Sequence, residues 1–98
     1  AKGVAEDSVQ AIMWWRKAAE QGHAEAQWEL GNAYVSGQGV VRDIPTGFAW
    51  YSIAADNGLI FAKRDKEKIA QKMYPGDIIR AEGIAKELLG SFPQKSTV

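Results

Sequence analysis

The chain has 98 residues, 46% of them hydrophobic, which is enough to bury a core and excludes a chain that is disordered by composition. Twelve basic residues balance twelve acidic ones, so the formal net charge is zero and the basic excess of a nucleic-acid-binding protein is absent. The sequence has no cysteine, which excludes disulfides and thiolate metal sites, and no apolar run of the roughly 18 residues that span a membrane.

The first two predicted helices cover about residues 8–20 and residues 24–35. Asp7 precedes the first helix, where a short carboxylate can accept hydrogen bonds from the free N–H groups of the first turn. Gly22 follows it, and glycine tolerates the left-handed conformation that commonly ends a helix. The second helix is predicted because its apolar residues recur at intervals of three and four. These residues are Ala26, Leu30, Ala33 and Tyr34.

A third predicted helix begins after Asp43 and ends near Asn57. Asp43 is its predicted N-cap, and Pro45 falls within the first turn, where the N–H group that proline lacks would have no helical partner. Gly58 follows the last turn, as Gly22 follows the first helix. The same signals therefore bound two helices at equal spacing along the chain.

These helices belong to an internal repeat with a period of 36 residues. When the sequence is shifted by 36 positions, seven of the twenty residues from 3 to 22 meet an identical residue. The matches are Gly3 with Gly39, Val4 with Val40, Asp7 with Asp43, Trp14 with Trp50, Ala18 with Ala54, Ala19 with Ala55 and Gly22 with Gly58. A period of this length is typical of stacked helix pairs. We expect the alanines to let helices approach closely and the bulky Trp14, Trp15, Trp50 and Tyr51 to fill the spaces between them.

The repeated residues resemble the Sel1-like repeat family, which is related to the tetratricopeptide repeats. The complete unit shows the family's motifs as Ala26, Leu30-Gly31, Tyr34, Gly37-Gln38-Gly39-Val40, Asp43, Trp50-Tyr51, Ala54-Ala55 and Gly58. With the matching loop and second helix of the preceding unit, the resemblance covers residues 3 to about 62. It implies an all-α fold, an α/α superhelix of antiparallel helix pairs, that acts as an adaptor or scaffold for protein complexes.

The repeat pattern predicts four parts in the chain. They are a partial repeat with only its second helix at 1–22, a complete repeat at 23–58, a degenerate repeat with C-terminal capping helices at 59–90, and a flexible tail at 91–98. The repeat decays where Lys66 and Glu67 replace the Leu-Gly pair, in a polar helix at about 63–73. A last helix is predicted from about Gly76 to Leu89. Its apolar face is expected to carry Ile79, Ile84, Ala85, Leu88 and Leu89.

The sequence offers no set of residues that indicates catalysis, a cofactor or a metal site. His23 is the only histidine, and a zinc site would need partners that the sequence lacks. Gly37-Gln38-Gly39 lacks the Gly-Lys-Ser/Thr of a phosphate-binding loop, so we interpret it as a turn between helices. Glu25 and Glu29 lie one turn apart on a helix, where such pairs are usually solvated surface charge and seldom acid–base catalysts. We therefore predict neither an enzyme nor a bound cofactor.

The helix at 24–35 is predicted to face a concave groove, because related solenoids present this helix to their inner side. Trp28 has two alternative roles there. It is either an exposed anchor for a partner, since tryptophan is enriched at binding hot spots, or it packs against the next helix near Phe61 or Arg64. The predicted groove is acidic at one end and basic at the other. Its residues are Glu25, Trp28, Glu29, Asn32, Phe61, Arg64 and Lys68.

Three functions are compatible with these patterns. The leading one is a scaffold that binds a protein or peptide in the groove. The second, suggested by relatives linked to the cell envelope, is an envelope-associated enzyme or polymer-binding accessory. Glu25 and Glu29 are the only residues in the sequence that support it. The third is a self-associating segment, because the partial first repeat lacks a packing partner. We expect that homodimer to form through Val9, Ile12, Met13 and Trp15.

Overall fold

The computed structural model describes residues 2–93, with side chains from Asp7 onward, and this part of the chain forms five α-helices and no strand. The helices are α1 (Lys2–Glu20), α2 (Ala24–Ser36), α3 (Ile44–Asp56), α4 (Ile60–Ala70) and α5 (Pro75–Ser91). The main contacts place α1 on α2, α2 on α3, and both α4 and α5 on α3. The predicted all-α fold of stacked helices is confirmed. None of the described helices is long and apolar enough to cross a membrane.

The ends of α3 follow the sequence signals closely. Asp43 caps the helix, because its Oδ1 accepts a hydrogen bond from the Thr46 N–H at 3.2 Å and its Oδ2 accepts one from the Thr46 hydroxyl at 2.8 Å. Pro45 lies in the first turn, as predicted. Gly58 follows the helix with φ +94°, and Gly22 follows α1 with the same φ, so both positions adopt the left-handed conformation that favours glycine.

The start of α1 differs from the prediction. The helix already begins at Lys2, so Asp7 lies inside it and does not act as an N-cap. The physical reason is the residue two positions further on, which is Val9 here and Pro45 one repeat later. Proline has no N–H group to donate and its ring clashes with the preceding helical turn, so α3 begins next to Pro45. Valine causes no such clash, so α1 extends back to Lys2.

The core is centred on α3, which packs against three other helices. Trp50 is fully buried, in a cluster with Ala19, Ala26, Leu30 and Ile53. A second cluster combines Phe48, Tyr51, Ile69 and Ala81. The alanines thus allow α1, α2 and α5 to approach the aromatic side chains of α3, as the repeat pattern predicts.

Residues at the C-terminal end differ from the expected apolar face and tail. Phe92, expected in a flexible tail, stacks on Trp50 with ring centroids 5.8 Å apart and belongs to the core, whereas residues 94–98 lie outside the described part. Ile79 and Leu89 are 68% and 46% exposed, so they were wrongly placed on the apolar face of α5. The buried side instead follows Ala81, Ala85 and Leu88 at the helical spacing of four and three.

A buried glutamine joins the ends of three helices. The Gln27 side chain is fully buried, and its Nε2 donates a hydrogen bond to the Ala19 carbonyl at 2.9 Å. Its Oε1 accepts a hydrogen bond from the Asn57 amide at 2.8 Å. Both ends of this polar group are satisfied, so its burial is compatible with a stable core. The turn after α1 is thereby held in a fixed position relative to the turn after α3.

Candidate functional site

Two clefts open side by side on one surface of the molecule. The N-terminal cleft lies between α1 and α2 and is lined by residues that include Asp7, Ser8, Trp15, Glu29, Ala33 and Ser36. The C-terminal cleft lies above α3, between α2 and α4, and its lining includes Arg42, Ile44, Tyr51, Asp65, Lys68, Ile69 and Lys72. Asn32 of α2 lines both clefts, so its side chain stands on the wall between them.

The two clefts occupy the same position in successive repeats. Six lining residues of the N-terminal cleft lie 36 positions before a lining residue of the C-terminal cleft. The pairs are Ser8 and Ile44, Trp15 and Tyr51, Glu29 and Asp65, Asn32 and Lys68, Ala33 and Ile69, and Ser36 and Lys72. The repeat architecture therefore builds one kind of site twice and gives each copy different side chains.

A short chain of hydrogen bonds fixes the wall between the clefts. The buried Tyr51 hydroxyl donates to Asn32 Oδ1 at 2.6 Å, and Asn32 Nδ2 donates to Glu29 Oε1 at 3.3 Å. Burial, together with the nearby negative charges of Asp65 and Glu29, raises the pKa of Tyr51 to about 12. The hydroxyl therefore stays protonated to a higher pH than that of an ordinary tyrosine, and as a donor to Asn32 it holds the amide in one orientation.

Trp28 joins α2 to α4 and does not stand free as an anchor. Its indole N–H donates to Asp65 Oδ2 at 2.7 Å, and its ring lies against Phe61 with centroids 6.0 Å apart. Of the two alternatives for Trp28, the structure shows packing against the next helix. Phe61 remains 53% exposed, so this aromatic pair still presents apolar surface beside the C-terminal cleft.

The charged side chains divide between the two clefts. Asp7 and Glu29 line the N-terminal cleft, and none of the described lysine or arginine side chains lines it. Arg42, Lys68 and Lys72 line the C-terminal cleft, and Asp65 is the one carboxylate among its described lining residues. Among the described residues, acidic side chains therefore line the N-terminal cleft, and basic side chains outnumber acidic ones in the C-terminal cleft.

The predicted groove residues fall into three groups. Glu29, Asn32 and Lys68 line the clefts, Trp28 and Phe61 form the bridge beside them, and Glu25 and Arg64 are exposed and line neither. Sequence reasoning missed Arg42, Tyr51 and Lys72. The repeat register contained a signal for two of them, because Tyr51 and Lys72 lie 36 positions after Trp15 and Ser36 of the neighbouring cleft.

A separate apolar face lies on the outer side of α1. Val9, Met13 and Trp14 are 49%, 63% and 71% exposed, and Gln10, Met13, Trp14 and Lys17 surround a shallow depression there. Ile12 and Trp15, also expected at the self-association surface, instead pack against the core. Trp14 was expected between helices. It is exposed because no described helix covers this side of α1.

Comparison with known proteins identifies the family. Residues 1–23 and 24–59 each match the model of the Sel1 repeat, which together is more than half of the chain. The chain belongs to the Sel1 repeat family. Its fold is also similar to that of c5321, a protective antigen of uropathogenic Escherichia coli strains with an SLR fold, at a TM-score of 0.81 and 29% identity. That similarity covers 93% of this chain and 22% of the antigen.

Two relatives of this Sel1 repeat chain are named as regulators. It is 40% identical over 57 residues to an exopolysaccharide production negative regulator of Rhizobium leguminosarum bv. viciae. It is 34% identical over 53 residues to the chitin synthase regulator SKT5 of Malassezia restricta. These similarities cover 58% and 54% of this chain but only 20% and 4% of the two relatives. The chain thus spans a small part of the proteins it resembles.

Proposed function

We propose that this Sel1 repeat chain is a protein-interaction module that binds an extended segment of a partner protein across the N-terminal and C-terminal clefts. The observation that carries the proposal is the repetition of one cleft in two successive units, with Asn32 shared between them. Contiguous clefts suit a ligand that is long and narrow, and repeat proteins commonly bind such segments along their stacked helices.

Two further observations support binding over catalysis. In the wall, the Tyr51 hydroxyl donates to Asn32 and Asn32 donates to Glu29, so Glu29 is the one charged group of this chain of hydrogen bonds and has no acid–base partner within it. Both relatives named above are regulators, which also supports a role in controlling other proteins. Glu25, half of the carboxylate pair behind the enzymatic alternative, is exposed and outside both clefts.

We expect a bulky side chain in the N-terminal cleft to abolish segment binding without unfolding the chain. Ser36 is exposed and lines this cleft, so Ser36→Trp would block it, while Glu82→Trp adds the same side chain to an exposed position on α5. Panning a displayed peptide library should enrich ligands on the wild type and on Glu82→Trp, and these ligands should fail to bind Ser36→Trp. Equal binding of the selected peptides to all three proteins, with equal thermal midpoints, would show that they bind elsewhere.

A second candidate function is self-association through the outer face of α1. In the repeat register Met13 and Trp14 correspond to Ala49 and Trp50, which are both fully buried on α3. The exposed apolar face of α1 therefore lies at positions that neighbouring helices cover on α3, and we propose that a second copy of the chain covers it.

The self-association proposal predicts a reversible dimer in sedimentation velocity. Trp14→Glu should shift the chain to the monomer, because a carboxylate cannot be buried unpaired in an apolar contact. Ile79→Glu is the matched control, since Ile79 is similarly exposed but lies on α5. A wild-type chain that stays monomeric as its concentration rises would exclude this candidate, and it would leave the cleft proposal untouched.

A further inference from the structure

We infer that the segment bound across the two clefts is bipolar, with a basic side chain in the N-terminal cleft and an acidic side chain in the C-terminal cleft. The inference rests on the proposed function, because it names the chemistry of the segment that the clefts would hold. The bound molecule is a peptide segment of a partner protein and not a free anion or a nucleic acid.

The N-terminal cleft favours a cation. Asp7 is exposed at its edge and Glu29 is half-buried in its wall, and among the side chains that the structure describes, from Asp7 onward, no lysine or arginine lines the cleft to neutralise them. Within the described part of the chain, Glu29 accepts one hydrogen bond, from the neutral Asn32 amide, and no described cation compensates its negative charge. A lysine or arginine of a partner would supply the missing positive charge with a charge-assisted hydrogen bond.

The C-terminal cleft favours a carboxylate. Arg42, Lys68 and Lys72 are all exposed at its rim, and within the described residues none of them has an ion-pair or hydrogen-bond partner. Asp65 is the only carboxylate among the described residues that line the cleft, and one of its oxygens already accepts a hydrogen bond from the Trp28 indole. An acidic side chain entering here would displace only water from the three cations.

The contrast between the clefts arises at the positions that face them. Asn32 and Ser36 line the N-terminal cleft, and their equivalents one repeat later are Lys68 and Lys72. The two units thus place lining residues at the same positions, but two neutral residues of the first unit correspond to lysines in the second. A segment with the opposite arrangement of charges would be repelled at both ends, so the clefts discriminate as well as attract.

The spacing of the clefts sets the spacing of the charges. The clefts share one wall, and packed helices lie about 8–10 Å apart. An extended chain advances about 3.3 Å per residue, so the basic and acidic side chains should be separated by about three residues. Because the charges lie at exposed rims, the preference should weaken as salt is added.

Fluorescence anisotropy with synthetic peptides tests the inference. Two peptides carry a lysine pair and a glutamate pair separated by about three small residues, one in each order, and a third replaces all charges by serine. One of the bipolar peptides should bind at least about tenfold more tightly than the neutral peptide at low salt. Lys68→Glu with Lys72→Glu should remove roughly that factor. The matched control is Lys63→Glu with Arg64→Glu, an equal charge change on α4 outside both clefts, which should leave binding intact.

Three results would overturn the bipolar segment. They are equal binding of neutral and bipolar peptides, equal loss in both pairs of charge variants, and displacement of the bipolar peptide by inorganic phosphate as readily as by unlabelled peptide. If library peptides depend on an open N-terminal cleft but the designed peptides fail, the proposed function stands and this inference falls. If Ser36→Trp retains every ligand, the proposed function itself falls.

Discussion

Trp50→Ala should lower the free energy of unfolding by about 3–5 kcal/mol, whereas Trp14→Ala, at the equivalent position one repeat earlier, should change it by less than about 1 kcal/mol. Trp50 is fully buried and stacks against Phe92, so its removal leaves a large cavity in the core. Trp14 is 71% exposed. Because both tryptophans stand at the same position of the repeat, a difference between the two variants measures the effect of burial and not of residue type.

Urea unfolding followed by far-UV circular dichroism measures both effects without relying on tryptophan fluorescence. A loss of about 3–5 kcal/mol is a large part of the roughly 5–15 kcal/mol that stabilises a typical domain, so the urea midpoint of Trp50→Ala should fall clearly below that of the wild type. Trp50→Phe is the milder companion variant, because it keeps an aromatic ring against Phe92 and removes a buried indole N–H that has no described partner. Similar losses for Trp14→Ala and Trp50→Ala at low protein concentration would contradict the exposure of the α1 face.

Gly31→Ala should lower the free energy of unfolding by about 2 kcal/mol, although alanine is the better helix former by about 1 kcal/mol. A Cβ atom at Gly31 would lie 2.5 Å from Cδ1 of the Tyr51 ring and 3.1 Å from the carbonyl oxygen of Gly47. Tyr51 is buried and hydrogen-bonded to Asn32, so its ring has little room to move. The clash should therefore outweigh the gain in helix propensity.

Gly83→Ala should change the free energy of unfolding in the opposite direction, measured in the same urea experiment. Gly83 lies within α5, and a Cβ atom there would meet nothing within 4 Å. The substitution therefore changes stability only through the higher helix propensity of alanine. We expect this variant to be more stable than the wild type by about 0.5–1 kcal/mol. A Gly31→Ala variant that gains stability as Gly83→Ala does would mean that α2 and α3 can separate at little cost.

The local features of the fold were accessible from sequence because they depend on neighbouring residues. Asp43, Pro45 and Gly58 act within one or two turns of their own position, and the structure shows them acting as predicted. The buried face of α5 was harder to predict from the sequence, because the exposed Ile79 and Leu89 also fit the spacing of an apolar helix face. Only the position of α5 on α3 decides that the face centred on Ala81 is buried.

The candidate site could be predicted only in part, for a related reason. The 36-residue register places Glu29, Asn32 and Lys68 on one face, and they do line the clefts. The role of Trp28 depends on its distance to Asp65, a residue of another helix, and no sequence pattern contains that distance. Arg42 comes from the loop between α2 and α3, whose path is set by tertiary packing.

The unequal surroundings of α1 and α3 also have a kinetic consequence. α3 packs against α2, α4 and α5, whereas α1 packs mainly on α2 and leaves Met13 and Trp14 in water. Among the described helices, α1 is held mainly by one neighbour and α3 by three, so detachment of α1 costs less free energy than detachment of α3. Transient detachment of α1 would open the N-terminal cleft, which α1 helps to form, while α3 keeps the floor of the C-terminal cleft in place. A segment bound in the N-terminal cleft would therefore be released by movement of α1 alone, while the core around α3 stays folded.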